Sequence, residues 1–423
     1  MLTAFISIET MLNTCISKVE DFFHVVEKSS LLRPELLQAW RERDDLPSDA
    51  RMVATEMVKE GHLTLFQGNQ LLLGKHRGFM LSGYVIQNLL SERNKDAVYL
   101  AQHPVMKRRV AIKVIKLNES HCVSTRERFR REARISAMFN HPNIVKVYDF
   151  NEEDNLQFLI MQYVEGQTLN HLIQQSGPLH YVIAVEYIRQ AADGLQHAHE
   201  KGIIHRNINP ANLILDNSGT VKILDLGHSR FTNNQIMNIT QLHQPDSSAS
   251  NSYYNAPELV AGEEYDTRCD IYSLGATLFT LLAGRLPFQD NSYQNMLAKL
   301  NDELPPLSAY QDNLPTGLDS VVGKMMATKP ENRFQSVKEV IAALSPILQP
   351  KNRQQVIIGI HPTVATDPKV GLDLKSKASG LECEKSIPKD DRSGLYGRMV
   401  TNVLLTICVG AVLLLGLLIY YNL

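Results

Sequence analysis

The residues able to do chemistry crowd into two short stretches, Gly202-Ile203-Ile204-His205-Arg206-Asn207-Ile208-Asn209-Pro210-Ala211-Asn212 and Ile223-Leu224-Asp225-Leu226-Gly227. Ahead of them stand Lys113, which closes the run Val110-Ala111-Ile112-Lys113, and Glu132. Ammonium, carboxylate and carboxamide groups of this kind position and neutralise other charged groups. A lone lysine at the end of a strand is ordinarily a solvated edge residue, so Lys113 gains meaning only from its neighbours. The rest of the chain offers little. The 14 histidines show no metal-ligand spacing, and His197 and His199 read as surface or packing residues. The 5 cysteines include no C-x-x-C pair and no zinc spacing, which fits a reducing cytoplasm. With 43 basic against 45 acidic side chains there is no global field to gather nucleic acid, so partners are recognised locally.

The elements that must position these residues follow from periodicity. Residues 1–80 read as a helical N-terminal extension, with helices around Val19 to Val26 and Pro34 to Arg43. A third is capped by Pro47-Ser48-Asp49, carries an apolar run through Met52, Val53, Met57 and Val58, and ends at Gly61. Trp40 reads as core packing. From Tyr84 the pattern turns to short β-type runs, Tyr84 to Leu90, Ala97 to Ala101 and Val110 to Lys116. After about Thr125 helical periodicity prevails. The expectation is an α+β chain with a small β-rich lobe followed by a large helical lobe.

With the elements in this order, residues 84–348 resemble the serine/threonine protein kinases, in particular the bacterial receptor-like (eukaryotic-type) ones. The motifs that carry the resemblance are Val110-Ala111-Ile112-Lys113, Glu132, His205-Arg206-Asn207 with Asn212, Asp225-Leu226-Gly227, Ala256-Pro257-Glu258, Asp270 in Asp-Ile-Tyr-Ser-Leu-Gly, and Arg333. The resemblance implies the two-lobed kinase fold and phosphoryl transfer, a reaction that asks for positioning and charge neutralisation more than for covalent chemistry. It assigns Lys113 to the α/β-phosphates of ATP, Glu132 to holding Lys113, and Asn212 with Asp225 to magnesium. Met161, Tyr163 and Val164 fall in the hinge that faces the base, with Met161 limiting the back pocket. It also makes Glu258 the partner of Arg333 and His205 a structural residue. Thr240, Ser247, Ser248, Ser250 and Ser252 would belong to a loop whose phosphorylated form docks on Arg206 in active relatives.

Three elements depart from the pattern. The phosphate-covering loop, where G-x-G-x-x-G is expected, is Ser91-Glu92-Arg93-Asn94-Lys95-Asp96. Side chains there obstruct the close backbone approach that glycine allows, and Asp96 adds negative charge. The base position carries Asn207, an amide with no useful basicity at neutral pH, where a carboxylate contributes about 10² to 10⁴ in rate. The lysine expected at the γ-phosphate is Asn209, which removes a cation from the transferring group. The resemblance therefore implies a pseudokinase that acts as an adaptor or allosteric partner, with Mg-ATP bound weakly or not at all. The alternative is a slow, atypical serine/threonine kinase that still transfers the γ-phosphate to protein.

Beyond residue 348 the periodicity disappears. Residues 349–398 read as a flexible juxtamembrane linker, and residues 399–423 as a transmembrane helix. No charged side chain occurs from Met399 to Leu423, and the 19 residues from Val403 to Tyr421 are almost wholly apolar. At about 1.5 Å per residue that run nearly matches a hydrocarbon core of about 30 Å. Lys385, Lys389, Arg392 and Arg398 lie just before it, so the positive-inside rule places the kinase-like part in the cytoplasm, anchored to the cell membrane by this single span.

Overall fold

The structure is a computed structural model that describes residues 15–93, 96–116, 123–153, 156–225, 230–231, 253–288, 304–311 and 314–348. The linker and span expected over 349–423, the loop hydroxyls Thr240, Ser247, Ser248, Ser250 and Ser252, and Asn94, Lys95, Leu226 and Gly227 lie outside the described residues. Among the described residues no helix is long and apolar enough to cross a membrane.

Among its described residues the extension shows four helices, one more than expected: α1 (Val19–Ser29), α2 (Pro34–Arg41), α3 (Ala50–Lys59) and α4 (Leu65–Leu72). Asp49 caps α3 by accepting from the Arg51 N–H at 2.7 Å. The unexpected α4 carries a full capping box, in which Thr64 and Gln67 exchange side-chain-to-backbone bonds. Phe22, Phe23, Trp40, Val53, Met57 and Leu71 form the shared core. Met52 is corrected here: the helical period that turns Val53 and Met57 inward leaves it exposed.

The extension does not stop at the sheet. Strand β1 (Met80–Leu81) pairs with β2 (Tyr84–Arg93), and the all-antiparallel sheet runs β1-β2-β3-β4-β6-β5 through β3 (Asp96–Gln102), β4 (Arg109–Lys116), β5 (Val147–Glu153) and β6 (Leu156–Gln162). β5 and β6 follow the helix α5 (Val123–Ala137), in a region where helical periodicity was expected. One face of the sheet buries Ile86, Ala101, Ile112, Val114, Phe158 and Ile160, with Phe66 of α4 packed against it. Phe66 meets Tyr99 edge-on at 6.4 Å, and Thr64 and Gln67 donate side-chain bonds to the Gln87 and Ile86 carbonyls. The opposite face receives α5 through Phe129 and Ala133 against Ile115 and Leu159.

The second lobe contains β7 (Gly166–Thr168), α6 (Leu169–Ser176), α7 (Tyr181–Glu200), β8 (Ile203–Ile204), a 3₁₀ turn (Pro210–Asn212), β9 (Leu213–Asp216), β10 (Val221–Ile223), β11 (Arg230–Phe231), α8 (Pro257–Ala261), α9 (Arg268–Ala283), α10 (Leu318–Met325) and α11 (Val337–Leu344). From Cys269 to Ala283 every residue of α9 is buried, so it is the lobe's central rod. The lobes are joined at Asn143–Val145. Ile223 N–H donates to Asn143 O at 2.9 Å, Val145 N–H donates to Ile223 O at 3.0 Å, and Asn143 Nδ2 donates to Val221 O at 2.8 Å.

Candidate functional site

The cleft is built first by strand register. Lys113 pairs with Val98 on β3 and Leu159 on β6, and Ala111 pairs with Met161. Side chains alternate faces along a strand, so Val98, Ala111, Lys113 and Met161 share the face that looks into the cleft. Tyr163 and Val164 follow directly in the hinge. Val164 is buried, and the Arg109 guanidinium lies 5.3 Å above the Tyr163 ring while it pairs with Glu165 at 2.8 Å.

Lys113 Nζ reaches Glu132 Oε1 and Asp225 Oδ1, both at 2.9 Å. Burial works against the ammonium, but Asp225 and Glu132 outweigh it and hold Lys113 well above lysine's ordinary range. Glu132 is pushed up to about 7, foremost by its own burial, which the attraction of Lys113 offsets only in part. One cation between two carboxylates leaves the cluster with one more acidic group than basic. Asp225 adopts φ 57°, a left-handed conformation costly for a non-glycine residue, and these contacts hold it there.

The loop Ile203–Asn212 is held from below. Buried Asp270 accepts from the His205 and Arg206 N–H groups at 2.8 and 2.7 Å and meets His199 Nε2 at 2.8 Å. Burial alone would raise the Asp270 carboxyl, but these contacts lower it below the usual carboxylate range, the His199 hydrogen bond being the strongest of them. His199 is thus a support for the loop, more than generic packing, whereas His197 does pack, stacked on His141 at 5.0 Å. His205 is structural: its Nε2 lies 3.2 Å from Leu224 O, and its Nδ1 accepts from Asn207 N–H. Arg206 also takes a left-handed φ of 67° and sets its guanidinium 5.0 Å above Tyr265. Farther down, Arg333 makes the expected two-pronged bond to Glu258 at 2.6 and 2.8 Å, wholly buried.

The three asparagines form one buried amide cluster. Asn209 Nδ2 donates to Asn207 Oδ1 at 3.0 Å and to Asn207 O at 3.1 Å, while Asn209 Oδ1 accepts from Ala211 N–H at 2.9 Å and caps the 3₁₀ turn. Asn212 Nδ2 donates to Asn207 O at 2.9 Å, which leaves its carbonyl oxygen as the ligand atom. The Leu224 N–H donates to Asn212 O at 2.8 Å and so brings Asn212 beside Asp225. An amide oxygen and a carboxylate are the hard donors that magnesium takes, its remaining ligands coming from phosphate and water. Asn212 and Asp225 therefore fit that ion.

Of the phosphate-covering positions, Ser91 pairs with Val98, Glu92 with Ala97 and Arg93 with Asp96, after a register shift between Leu89 and Ser91. Sequence reasoning missed Gly166 just after the hinge: a Cβ there would sit 1.9 Å from Leu215 O. Its signal was a lone glycine between two apolar runs. Asn143, which ties the lobes together, carried no signal of its own.

A β-rich lobe and a helical lobe bridged by the Lys113–Asp225 pair, with Asn212 close by, is the arrangement of the protein-kinase fold class. The protein kinase domain family matches residues 88–343, and the chain belongs to that family. It is 33% identical over 274 residues to the serine/threonine-protein kinase PrkC of Bacillus subtilis, covering 64% of this chain and 41% of that protein. It is 36% identical over 321 residues to PknB of Mycolicibacterium smegmatis, covering 74% and 47%. The crystal structure of the Mycobacterium tuberculosis PknI kinase domain aligns at 30% identity and TM-score 0.50, over 64% of this chain and 98% of that one. The chain spans less than half the length of the PrkC and PknB proteins it matches here.

Proposed function

We propose that this chain is a membrane-anchored kinase-like signalling protein, a pseudokinase that works through shape as an adaptor or allosteric partner and binds Mg-ATP weakly or not at all. The observation that carries this reading is the bond between Asn207 and Asn209. The family pattern has a carboxylate and an ammonium at these positions, and here they are a neutral amide pair, each bonded to the other. Both charges vanish together, so the net charge of the loop is unchanged while the general base and the γ-phosphate cation are lost. Anchoring rests on the apolar run Val403 to Tyr421 and the basic residues before it.

The intact Lys113–Glu132–Asp225 cluster favours a second reading, a slow serine/threonine kinase that positions ATP without a base. Labelled ATP and generic protein acceptors separate the two. The pseudokinase reading expects no transfer above that of Lys113→Ala and Asp225→Ala controls. Transfer that both substitutions abolish would establish the slow enzyme. Resistance to extraction by alkaline carbonate tests the anchor.

A further inference from the structure

The turn between β3 and β4 presents an apolar tip on a cationic base. Val105 and Met106 are 83% and 65% exposed, the two most exposed of the large apolar side chains among the described residues, and they are adjacent. The turn is tightly built. The His103 N–H donates to Arg108 O and the Lys107 N–H to His103 O, both at 2.9 Å. The His103 ring is held by an edge-on contact with Tyr84 at 5.3 Å, and its Nδ1 accepts from the Val105 and Met106 N–H groups at 3.3 and 3.1 Å. Gln102 Nε2 donates to Lys107 O at 3.0 Å. A turn so fastened cannot fold its apolar pair back onto the sheet.

Behind the pair come Lys107, Arg108 and Arg109. The Arg108 guanidinium is laid 4.0 Å above the Tyr148 ring and hydrogen-bonds its hydroxyl, and Arg109 is engaged by Glu165. Glu165 is the one acid that the described contacts bring to this cationic run, so the tip is net positive. Two contiguous side chains are far too small for a protein interface, which needs on the order of 1,000 Å². They are suited to the headgroup boundary of a bilayer, where a few apolar groups enter and nearby cations meet anionic lipid.

We propose that the tip formed by residues 103–108 docks on an anionic phospholipid surface, Val105 and Met106 entering the interface while Lys107 and Arg108 meet headgroup phosphates. This rests on the membrane-anchored reading above and adds to it a defined face turned to the lipid. The docked lobe would then present its cleft at a fixed attitude to the membrane.

The test uses the full chain reconstituted in vesicles of phosphatidylcholine, with and without phosphatidylglycerol, carrying Val105→Trp. The single native tryptophan, Trp40, is buried and gives a constant background. Bromine-labelled lipid should quench the introduced indole in the anionic vesicles. Lys107→Glu with Arg108→Glu should abolish the quenching, each lost cation weakening the contact about fivefold. Met106→Trp serves as the second variant, and Met52→Trp, exposed on α3, should stay unquenched. Absence of quenching at both tip positions, or equal quenching with and without phosphatidylglycerol, overturns the proposal. Carbonate extraction of the same samples reports the anchor separately: retained chain without tip quenching refutes the docking alone, and tip quenching in an extractable chain supports the docking while refuting the anchor.

Discussion

Asn209 is a structural cap in this chain, and substituting lysine there should reveal it. Asn209→Lys removes the acceptor of the Ala211 N–H, a cap contribution of about 1 kcal/mol, and two donated bonds to Asn207. It also places an ammonium where the native side chain is 2% exposed. We expect the single variant to lose about 3 kcal/mol, or roughly 6 °C or more in melting temperature for a domain of this size. Asn207→Asp alone keeps an acceptor at the same place and should cost about 1 kcal/mol. The double variant gives the new ammonium a carboxylate partner, so the two changes should be less harmful together than their sum by about 1 to 3 kcal/mol. The assay is a double-mutant cycle by thermal and denaturant unfolding of the full chain in detergent, followed by labelled-ATP transfer. Should Asn209→Lys melt like the parent, or the two changes simply add, the amide pair is not the structural unit described. Should the double variant refold and transfer phosphate where the parent does not, those two positions are what disables the parent.

Lys113→Ala leaves Glu132 and Asp225 facing each other without their cation and should destabilise the fold by about 3 kcal/mol, read as a lowered melting midpoint; an unchanged midpoint would mean the cluster carries no structural weight. The Asp270 carboxyl is depressed in the folded state, so its contribution is full above the unfolded value of about 4 and is lost as pH falls through the lower folded value. Asp270→Asn should therefore lower stability at pH 7 and flatten the acid limb of the melting profile, whereas parallel parent and variant profiles would refute the assignment. Gly166→Ala drives a Cβ into the Leu215 carbonyl and should cost about 3 kcal/mol, visible as partial loss of the β7–β9 pairing by hydrogen exchange.

The kinase fold was legible because its motifs are spaced widely and in order: Lys113, Glu132 and Asp225 meet in one cluster, and Asn212 is bonded to Leu224, next to Asp225 in the chain. Strand register then explains why Met161 shares the Lys113 face. What the sequence hid was mostly partnership. Asn209 looked like a lost lysine, and nothing in its spacing told that its two amide atoms would be spent on Ala211 and Asn207. His199 looked like packing because its partner, Asp270, lies far along the chain. The strands β5 and β6 were masked by the helical periodicity around them, since short apolar runs do not distinguish a buried strand from a helix. The helix α4 was readable in principle from Thr64 and Gln67, but Gly68 in its middle weakened the signal.

Because β1 is stitched to β2 and α4 lies on the outer sheet face, there is no hinge at which the first eighty residues can be severed cleanly. A shortened chain would bare Ile86, Tyr99 and Phe66's seat to water and hand the sheet a raw edge open to stray strands. Any loss of partner binding after such a deletion would first have to be judged as damage to the lobe that carries Lys113.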